Sequence, residues 1–406
     1  MEKHFPQAPF AGKRIHLGVC GSVAAYKALD LLRAFCKVEL RVTVTMTEAA
    51  TRFVTPLSFQ SLGAERVYGS MFGEGRTGDP FGHLRPGLEA EAFLVAPVSA
   101  TTLARLACGL ADEMLAGQAL AWPGSLLLAP AMNPRMWNNQ ATKDNIAALE
   151  RRGHLVIAPE TGPVACGEEG EGRFPDLRII CLYALRSLSP QDLAGQRVLI
   201  TLGPTREPWD CVRFWSNHSS GLMGASLAVA AWLRGADVQA LRGPVAPWLP
   251  PQIQTRETPT AQEMLRTAEE LWPDMHLGIF TAAVADFAPI PFGAEKFKKT
   301  SSTKGFNLSF QPNPDILATL ARSKKAGQRI IAFAAESENL EKNAHCKLQT
   351  KNADLLVANL VGGEDCAFAS PNNTALILDH NGGLLRLPTL PKGDLAWRIL
   401  DCLSSL

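Results

Sequence analysis

The run Ser125-Leu-Leu-Leu-Ala129 reads as a buried strand, and it breaks at once into Pro130-Ala-Met-Asn-Pro-Arg-Met-Trp137. A strand that ends this abruptly in Pro, Asn and Pro is how an open α/β sheet displays a loop at its carboxyl edge. The prolines on either side of Asn133 fix φ, so its amide is held stiffly and can both donate and accept. The chain opens in the same style. Arg14–Gly21 reads as a strand and glycine turn, Ser22–Arg33 as a helix with Ser22 as its N-cap, and Val38–Thr45 as a second strand. This βαβ start predicts a doubly wound α/β sheet. With 406 residues the chain exceeds one core, and the polar Ser187–Gly195 stretch is the best boundary. The expected domains are 1–190 and 191–406.

Composition removes several function classes. Forty Lys plus Arg against 39 Asp plus Glu leave a net charge of +1. There is no bulk electrostatic case for nucleic acid or a membrane surface. Nine cysteines are scattered without a CxxC pair, which argues for a reducing, cytoplasmic setting and against a disulfide framework. The N-terminus, with Pro6, Pro9, Lys13 and Arg14, lacks a signal-peptide pattern. The longest uncharged stretch, Leu115–Pro134, is split by Pro123-Gly124 and is not a membrane span.

Taken singly, the candidate site residues of the first half are ordinary. Gly21 and Ser22 at a helix start suit a phosphate, yet the spacing Gly-x-x-Gly-Ser is no GxGxxG fingerprint. Ser99, Thr101 and Thr102 past the strand Ala92–Ala100 are commonly caps. His83 alone is more often a surface histidine than a base. Cys166 sits in the glycine-rich Ala165–Arg173 loop.

The order of the set changes this. Gly21–Lys27, His83, Ala96-Pro-Val-Ser-Ala-Thr-Thr102, Pro130–Trp137 and Ala165-Cys-Gly with Gly170-Glu-Gly-Arg173 follow one another. Over about Lys13–Asp176 the chain resembles the homo-oligomeric flavin-containing cysteine decarboxylases, phosphopantothenoylcysteine decarboxylases in particular. The resemblance implies a flavodoxin-like flavoprotein domain with flavin mononucleotide (FMN) near Gly21, Ser22, Thr47, Ser99, Thr102 and Met132. It makes His83 the active-site histidine, Asn133 the grip on the substrate carboxylate and Cys166 the proton donor on a flap. In that chemistry the flavin oxidises the substrate thiol to a thioaldehyde, an electron sink that lets CO2 leave, and the enethiolate is then reduced back. A histidine suits thiol activation, and an acid on a movable flap suits late protonation. One departure is Thr101, where the family carries Asn.

The pattern restarts after the boundary with the strand Arg197–Gly203, the helix Met223–Leu233 and the strand Gly235–Leu241, a second Rossmann-like domain. Gly278–Phe287 reads as one buried strand presenting Asp286, and Asn313-Pro-Asp-Ile316 opens a helix with Pro at its first position. Ile330–Glu336 and Asp354–Asn359 read as strands, and Lys347 and Lys351 lie one helical turn apart. Ser216-Asn-His-Ser-Ser-Gly221 before a helix can cradle an anion. From about Leu193 onward these motifs resemble phosphopantothenate–cysteine ligases. The resemblance implies a cytidine triphosphate (CTP) site of Phe280, Thr281, Ala282, Asp286, Lys296, Pro314, Asp315, Ile316, Leu317, Phe333, Lys347 and Lys351. It places Lys296 at the phosphates, Asn217 at an acyl-cytidylate, and Mg2+ with the triphosphate, its ligands unknown. Departures are Cys211 for Pro and Leu222 for Lys.

Together the two resemblances imply a bifunctional, homo-oligomeric enzyme acting on 4'-phosphopantothenate, cysteine and CTP, with trimers in the decarboxylase part and dimers in the ligase part. Two other readings stand beside it. One is a non-catalytic regulatory flavoprotein, which His83, Asn133 and Cys166 together argue against. The other is a peptidyl-cysteine decarboxylase, which the second-half motifs argue against.

Overall fold

In the computed structural model, residues 2–71, 81–165, 167–244, 247–298, 306–336, 340–360 and 370–405 are described. The chain divides into two compact units, one spanning Phe10–Ser189 and the other Pro190–Leu406 together with Glu2–Pro9.

The first unit is built on a six-stranded sheet with strands β1 (Arg14–Val19), β2 (Arg41–Met46), β3 (Arg66–Tyr68), β4 (Ala92–Val98), β5 (Leu126–Pro130) and β6 (Leu155–Val156). Their order is β3-β2-β1-β4-β5-β6, and every neighbouring pair is parallel. β4 and β5 are buried along their whole length, as strands covered on both faces must be. The winding direction reverses between β1 and β4, which places a crevice at the carboxyl ends of these strands. The expected helix Ser22–Arg33 is a 3-10 turn over Val23–Tyr26 followed by the helix Lys27–Lys37. β2 starts three residues later than the pattern implied, because Glu39 adopts the left-handed conformation (φ 58°) and Val38–Glu39 turn the chain into the sheet. A hairpin of β7 (Glu160–Pro163) and β8 (Glu169–Arg173) follows the sheet.

The second unit holds an eight-stranded sheet, order β13-β12-β9-β14-β17-β18-β19-β20. Its strands are β9 (Arg197–Leu202), β12 (Asp237–Arg242), β13 (Gln254–Glu257), β14 (Leu277–Phe280), β17 (Arg329–Glu336), β18 (Leu355–Leu360), β19 (Asn372–Asp379) and β20 (Leu384–Pro391). The strands from β13 to β18 run parallel, and β19 and β20 add an antiparallel edge. Short hairpins of β10 (Arg206–Pro208) with β11 (Phe214–Ser216), and β15 (Phe287–Pro289) with β16 (Phe310–Pro312), complete the strands. The Gly278–Phe287 run is not one strand. β14 stops at Phe280, where Thr281 donates from both its amide and its hydroxyl to the Thr201 carbonyl and bends the chain away. The helix Leu222–Leu233 is buried along most of its length. Gly224 lets it lie on the sheet, since a Cβ there would meet Leu202 Cβ and Thr281 Oγ1, both at 2.4 Å.

The Glu2–Pro9 segment is part of this second unit. Phe5 is buried with its ring 6.2 Å from Trp248, and the amides of Gln7 and Ala8 donate to Asp394 Oδ1 at 2.6 and 2.9 Å. Gly393 is required beneath it, because a Cβ would lie 2.4 Å from the Phe5 carbonyl oxygen. Among the described residues no helix is long and apolar enough to cross a membrane.

Candidate functional sites

In the first unit, β1, β2, β4 and β5 all deliver polar groups at the same edge. Ser22, Thr47 and Ser99 follow β1, β2 and β4, and each caps the turn or helix that comes next, accepting from Ala24, Ala50 and Thr102 amides at 3.2 Å. Their hydroxyl oxygens are therefore used as caps, while Ser22 donates to the Ala131 carbonyl at 3.5 Å and ties the β1 edge to the β5 loop. Thr102 is buried and its hydroxyl accepts from Ser99 and from the Cys20 thiol, so it backs Ser99 instead of facing outward. Burial pushes the Cys20 thiol up to about 11, which keeps it protonated and inert. Gly21 has a packing reason of its own: a Cβ would lie 2.5 Å from Ala49 Cβ. Helix and turn starts gathered at one sheet edge suit a phosphate-bearing cofactor through their backbone amides.

Asn133 is held as the two prolines imply. Its Oδ1 accepts from the Arg135 amide at 2.8 Å as the cap of the Pro134–Trp137 turn. Its Nδ2 donates to Glu168 Oε2 at 3.0 Å, and Arg135 Nη2 lies 2.7 Å from Glu168 Oε1. The Asn133 amide and the Arg135 guanidinium thus grip a carboxylate. Glu168 comes from the β7–β8 hairpin, which folds onto this loop. Met132 N–H donates to the Gly172 carbonyl at 2.9 Å. Cβ atoms on Gly170 and Gly172 would lie 2.9 Å from Pro134 Cβ and 2.5 Å from the Met132 carbonyl oxygen. Gly170 and Gly172 therefore serve close approach to the asparagine loop, whereas Gly167 serves its turn, with φ 83° and open space around it. Cys166 lies outside the described residues.

His83 is half-buried in the turn that precedes the helix Arg85–Glu89. Its turn is anchored through Gly82, whose carbonyl accepts from Gln118 Nε2 at 3.0 Å. Gln118 escaped sequence reasoning, since a glutamine in an apolar helix carries no motif.

In the second unit the motifs around Asn217, Asp286 and Asn313 meet. Asn217 Nδ2 donates to the Val284 carbonyl at 3.0 Å, Asn313 Nδ2 to the Ala285 carbonyl at 2.8 Å, and Asn313 N–H to the Asp286 carbonyl at 2.8 Å. Thr205 Oγ1 receives the Ala285 amide at 3.0 Å. The Ala282–Asp286 segment is the hub of these contacts, and the Asp286 side chain is exposed beside it. Gly221 (φ 68°) then starts the helix Leu222–Leu233. Pro314 stands before the cap, not at the first helical position: Asp315 caps the helix Ile316–Arg322 by accepting from Ala318 at 2.9 Å. Partial burial raises the Asp315 carboxyl, but the Lys351 ammonium bonded to it and the Ala318 amide outweigh that and leave it below its ordinary range. Lys351 follows the helix Leu340–Thr350 that carries Lys347, and its amide continues the turn to the Lys347 carbonyl. Phe280 is buried edge-on to Trp272, and Ile316 is buried in the same core, to which Leu317 packs, so these side chains belong to the core of the unit. Phe333 is half-buried on β17.

Lys296 is exposed on a segment pinned by residues the sequence reading passed over. Phe292 N–H donates to the Trp209 carbonyl at 2.7 Å, and Phe297 N–H to the buried Asp210 carboxylate at 3.1 Å. Arg213 pairs with Asp210 at 2.8 Å, and Trp209 packs against Phe292, Phe297 and Phe306. The available signal was Asp210 followed three residues later by Arg213, a local turn-and-ion-pair spacing. Among the described residues no cluster of three or more His, Cys, Asp or Glu side chains forms a metal cage.

The flavoprotein family profile matches residues 7–188, and the profile of the DNA/pantothenate metabolism flavoprotein C-terminal domain matches residues 193–406. The coenzyme A biosynthesis bifunctional protein CoaBC of Vibrio vulnificus (strain CMCP6) is 37% identical over 396 residues, 98% of each chain. That of Escherichia coli (strain K12) is 39% identical over 399 residues, 96% of each chain, and that of Bacillus subtilis (strain 168) 36% over 398 residues, 97% of each.

Proposed function

Because the chain belongs to the bifunctional coenzyme A biosynthesis proteins, a flavoprotein domain followed by a pantothenate-metabolism C-terminal domain, we propose that it runs two consecutive steps. The second unit joins cysteine to 4'-phosphopantothenate at the expense of CTP, and the first unit decarboxylates the product to 4'-phosphopantetheine. What carries this reading is Asn133, whose amide already donates to a carboxylate, that of Glu168.

In the first unit His83 takes the proton of the substrate thiol, Asn133 holds the carboxylate until CO2 leaves, and Cys166 returns a proton to carbon. Gly21, Ser22, Thr47, Ser99 and Met132 would hold FMN, with Thr102 behind Ser99. When bound, the flavin supplies the two-electron oxidation of the thiol and its reversal. A neutral amide suits a carboxylate that must depart, because it does not hold CO2 back with a full charge.

In the second unit the loop 216–221, the Ala282–Asp286 segment and the start of the Ile316–Arg322 helix line the nucleotide and acyl sites. Lys296, Lys347 and Lys351 face the charge that builds on pyrophosphate, and Asn217 sits at the activated acyl group. Mg2+ would accompany the triphosphate and share the charge that builds on pyrophosphate. The free thiols fit a reducing cytoplasm, and the enzyme works as a homo-oligomer.

Purified protein given 4'-phosphopantothenate, cysteine, CTP and Mg2+ should release pyrophosphate and then CO2. Flavin-loaded protein that releases neither overturns the reading, and ATP in place of CTP settles the nucleotide preference.

A further inference from the structure

Beneath the sheet edge of the first unit lies a polar cluster that no step above uses. His16 on β1 and Gln118 on the helix Met114–Leu120 are fully buried, as is Thr45 on β2. Gly18 makes the meeting possible, because a Cβ there would lie 2.6 Å from Leu115 Cδ1 and lift the helix off the sheet. Gln118 Oε1 accepts from the Thr45 hydroxyl at 2.6 Å and lies 3.2 Å from His16 Nε2. Thr45 Oγ1 is also 2.9 Å from His16 Nε2, and Thr43 Oγ1 is 2.7 Å from His16 Nδ1. With Gln118 Nε2 given to the Gly82 carbonyl, its oxygen faces the histidine. The imidazole then carries its hydrogen on Nε2 and accepts from Thr43 on Nδ1. Its faces and edges are enclosed by Phe93, 4.6 Å away at 87°, and Tyr68 at 5.9 Å.

Buried polar groups are costly unless every member is satisfied, and a satisfied network is rigid and singular in geometry. His16, Thr43, Thr45 and Gln118 bond to one another, and Gln118 Nε2 carries the network outward to the residue before His83. The same helix underlies His83 itself: a Cβ on Gly117 would lie 3.8 Å from His83 Cβ and 3.2 Å from Met71 Cε.

We propose that Gln118, oriented by Thr45 and His16, is a positioning residue that fixes the His83 turn through the Gly82 carbonyl. The proposal rests on His83 acting at the substrate. Gln118→Met keeps length and packing while deleting both polar ends. It is expected to lower kcat for CO2 release from phosphopantothenoylcysteine about tenfold, with KM, bound flavin and pyrophosphate release by the second unit within about twofold of wild type. Hydrogen exchange should quicken at residues 82–85 and not across the sheet. Thr45→Val should act in the same direction, and Thr45→Ser, which restores the hydroxyl, should recover turnover. That pair decides the matter if Gln118→Met does not fold. Unchanged kcat and unchanged exchange in Gln118→Met or Thr45→Val, with His83→Asn inactive, overturn the positioning role alone. Full turnover by His83→Asn overturns the role of the histidine, and the positioning role with it.

Discussion

At the scale of single residues, the Asn133 amide and the Glu168 carboxylate are held against each other. On the proposed reading, the Glu168 carboxylate occupies the amide that a substrate carboxylate would need, and the two would compete. Arg135 is largely exposed, with 83% of its side chain accessible, which keeps the ion pair with Glu168 weak, about 0.5–1 kcal/mol. Glu168→Gln is therefore expected to lower KM for decarboxylation about two- to fivefold with little change in kcat, read from initial rates of CO2 release. An unchanged KM would show that Glu168 and substrate do not share the amide. Asn133→Asp sets a negative charge against both carboxylates and should raise KM at least about tenfold, as a lost charge-assisted hydrogen bond implies. Asn133 and the caps Ser22 and Ser99 were legible in sequence because their signals are local: prolines beside an amide, a hydroxyl before a helix. Gln118 and His16 were not. They stand 102 positions apart, and their meaning lies in a contact that only the folded sheet creates.

At the scale of elements, glycine marks where helices and sheets come closest. Gly224→Ala would press a methyl group into Leu202 and Thr281, an overpacking worth about 1–3 kcal/mol. Urea unfolding of the second unit should shift by that amount, and pyrophosphate release should fall because the helix carrying Gly221 moves off β9 and β14. A midpoint equal to wild type would mean the helix shifts without cost. The latch on Lys296 belongs to this scale as well. Asp210→Asn removes the charge that gathers the Val212, Arg213 and Phe297 amides, and KM for CTP should rise several-fold while flavin binding stays unchanged. Element boundaries were readable where a cap or apolar run set them, as for the helix expected at Met223–Leu233 and found one residue longer at Leu222–Leu233. They were misread at Gly278–Phe287, where a uniformly apolar sequence hides the turn that Thr201 and Thr281 impose. The β19–β20 hairpin was passed over although Asn381-Gly382 between apolar runs is a hairpin signal.

At the scale of the whole molecule, each unit buries one neutral histidine. Burial pushes His16 down to about 3, and His4 down to about 4 against the opposing charge of Glu2. Folded, neither binds a proton near neutrality, whereas the unfolded chain does so below its ordinary pKa of 6.5. Stability is thus unaffected above pH 6.5 and falls as the pH drops toward 4, by about 1.4 kcal/mol per unit for each group. Melting temperatures followed from about pH 7 to about pH 5 should fall, and His4→Phe should flatten the loss for the second unit. An identical acid slope in that variant would place the loss on other groups. The position of His4 has a further consequence. With Glu2–Pro9 seated against Trp248, Gly393 and Asp394, the second unit is discontinuous in sequence, and the whole of Phe10–Ser189 is an insertion near its start. Cutting the chain between Ser189 and Pro190 would not produce two free proteins. The fragments should travel together through gel filtration, clasped by the N-terminal peptide, until denaturant or loss of the Asp394 carboxylate lets it go.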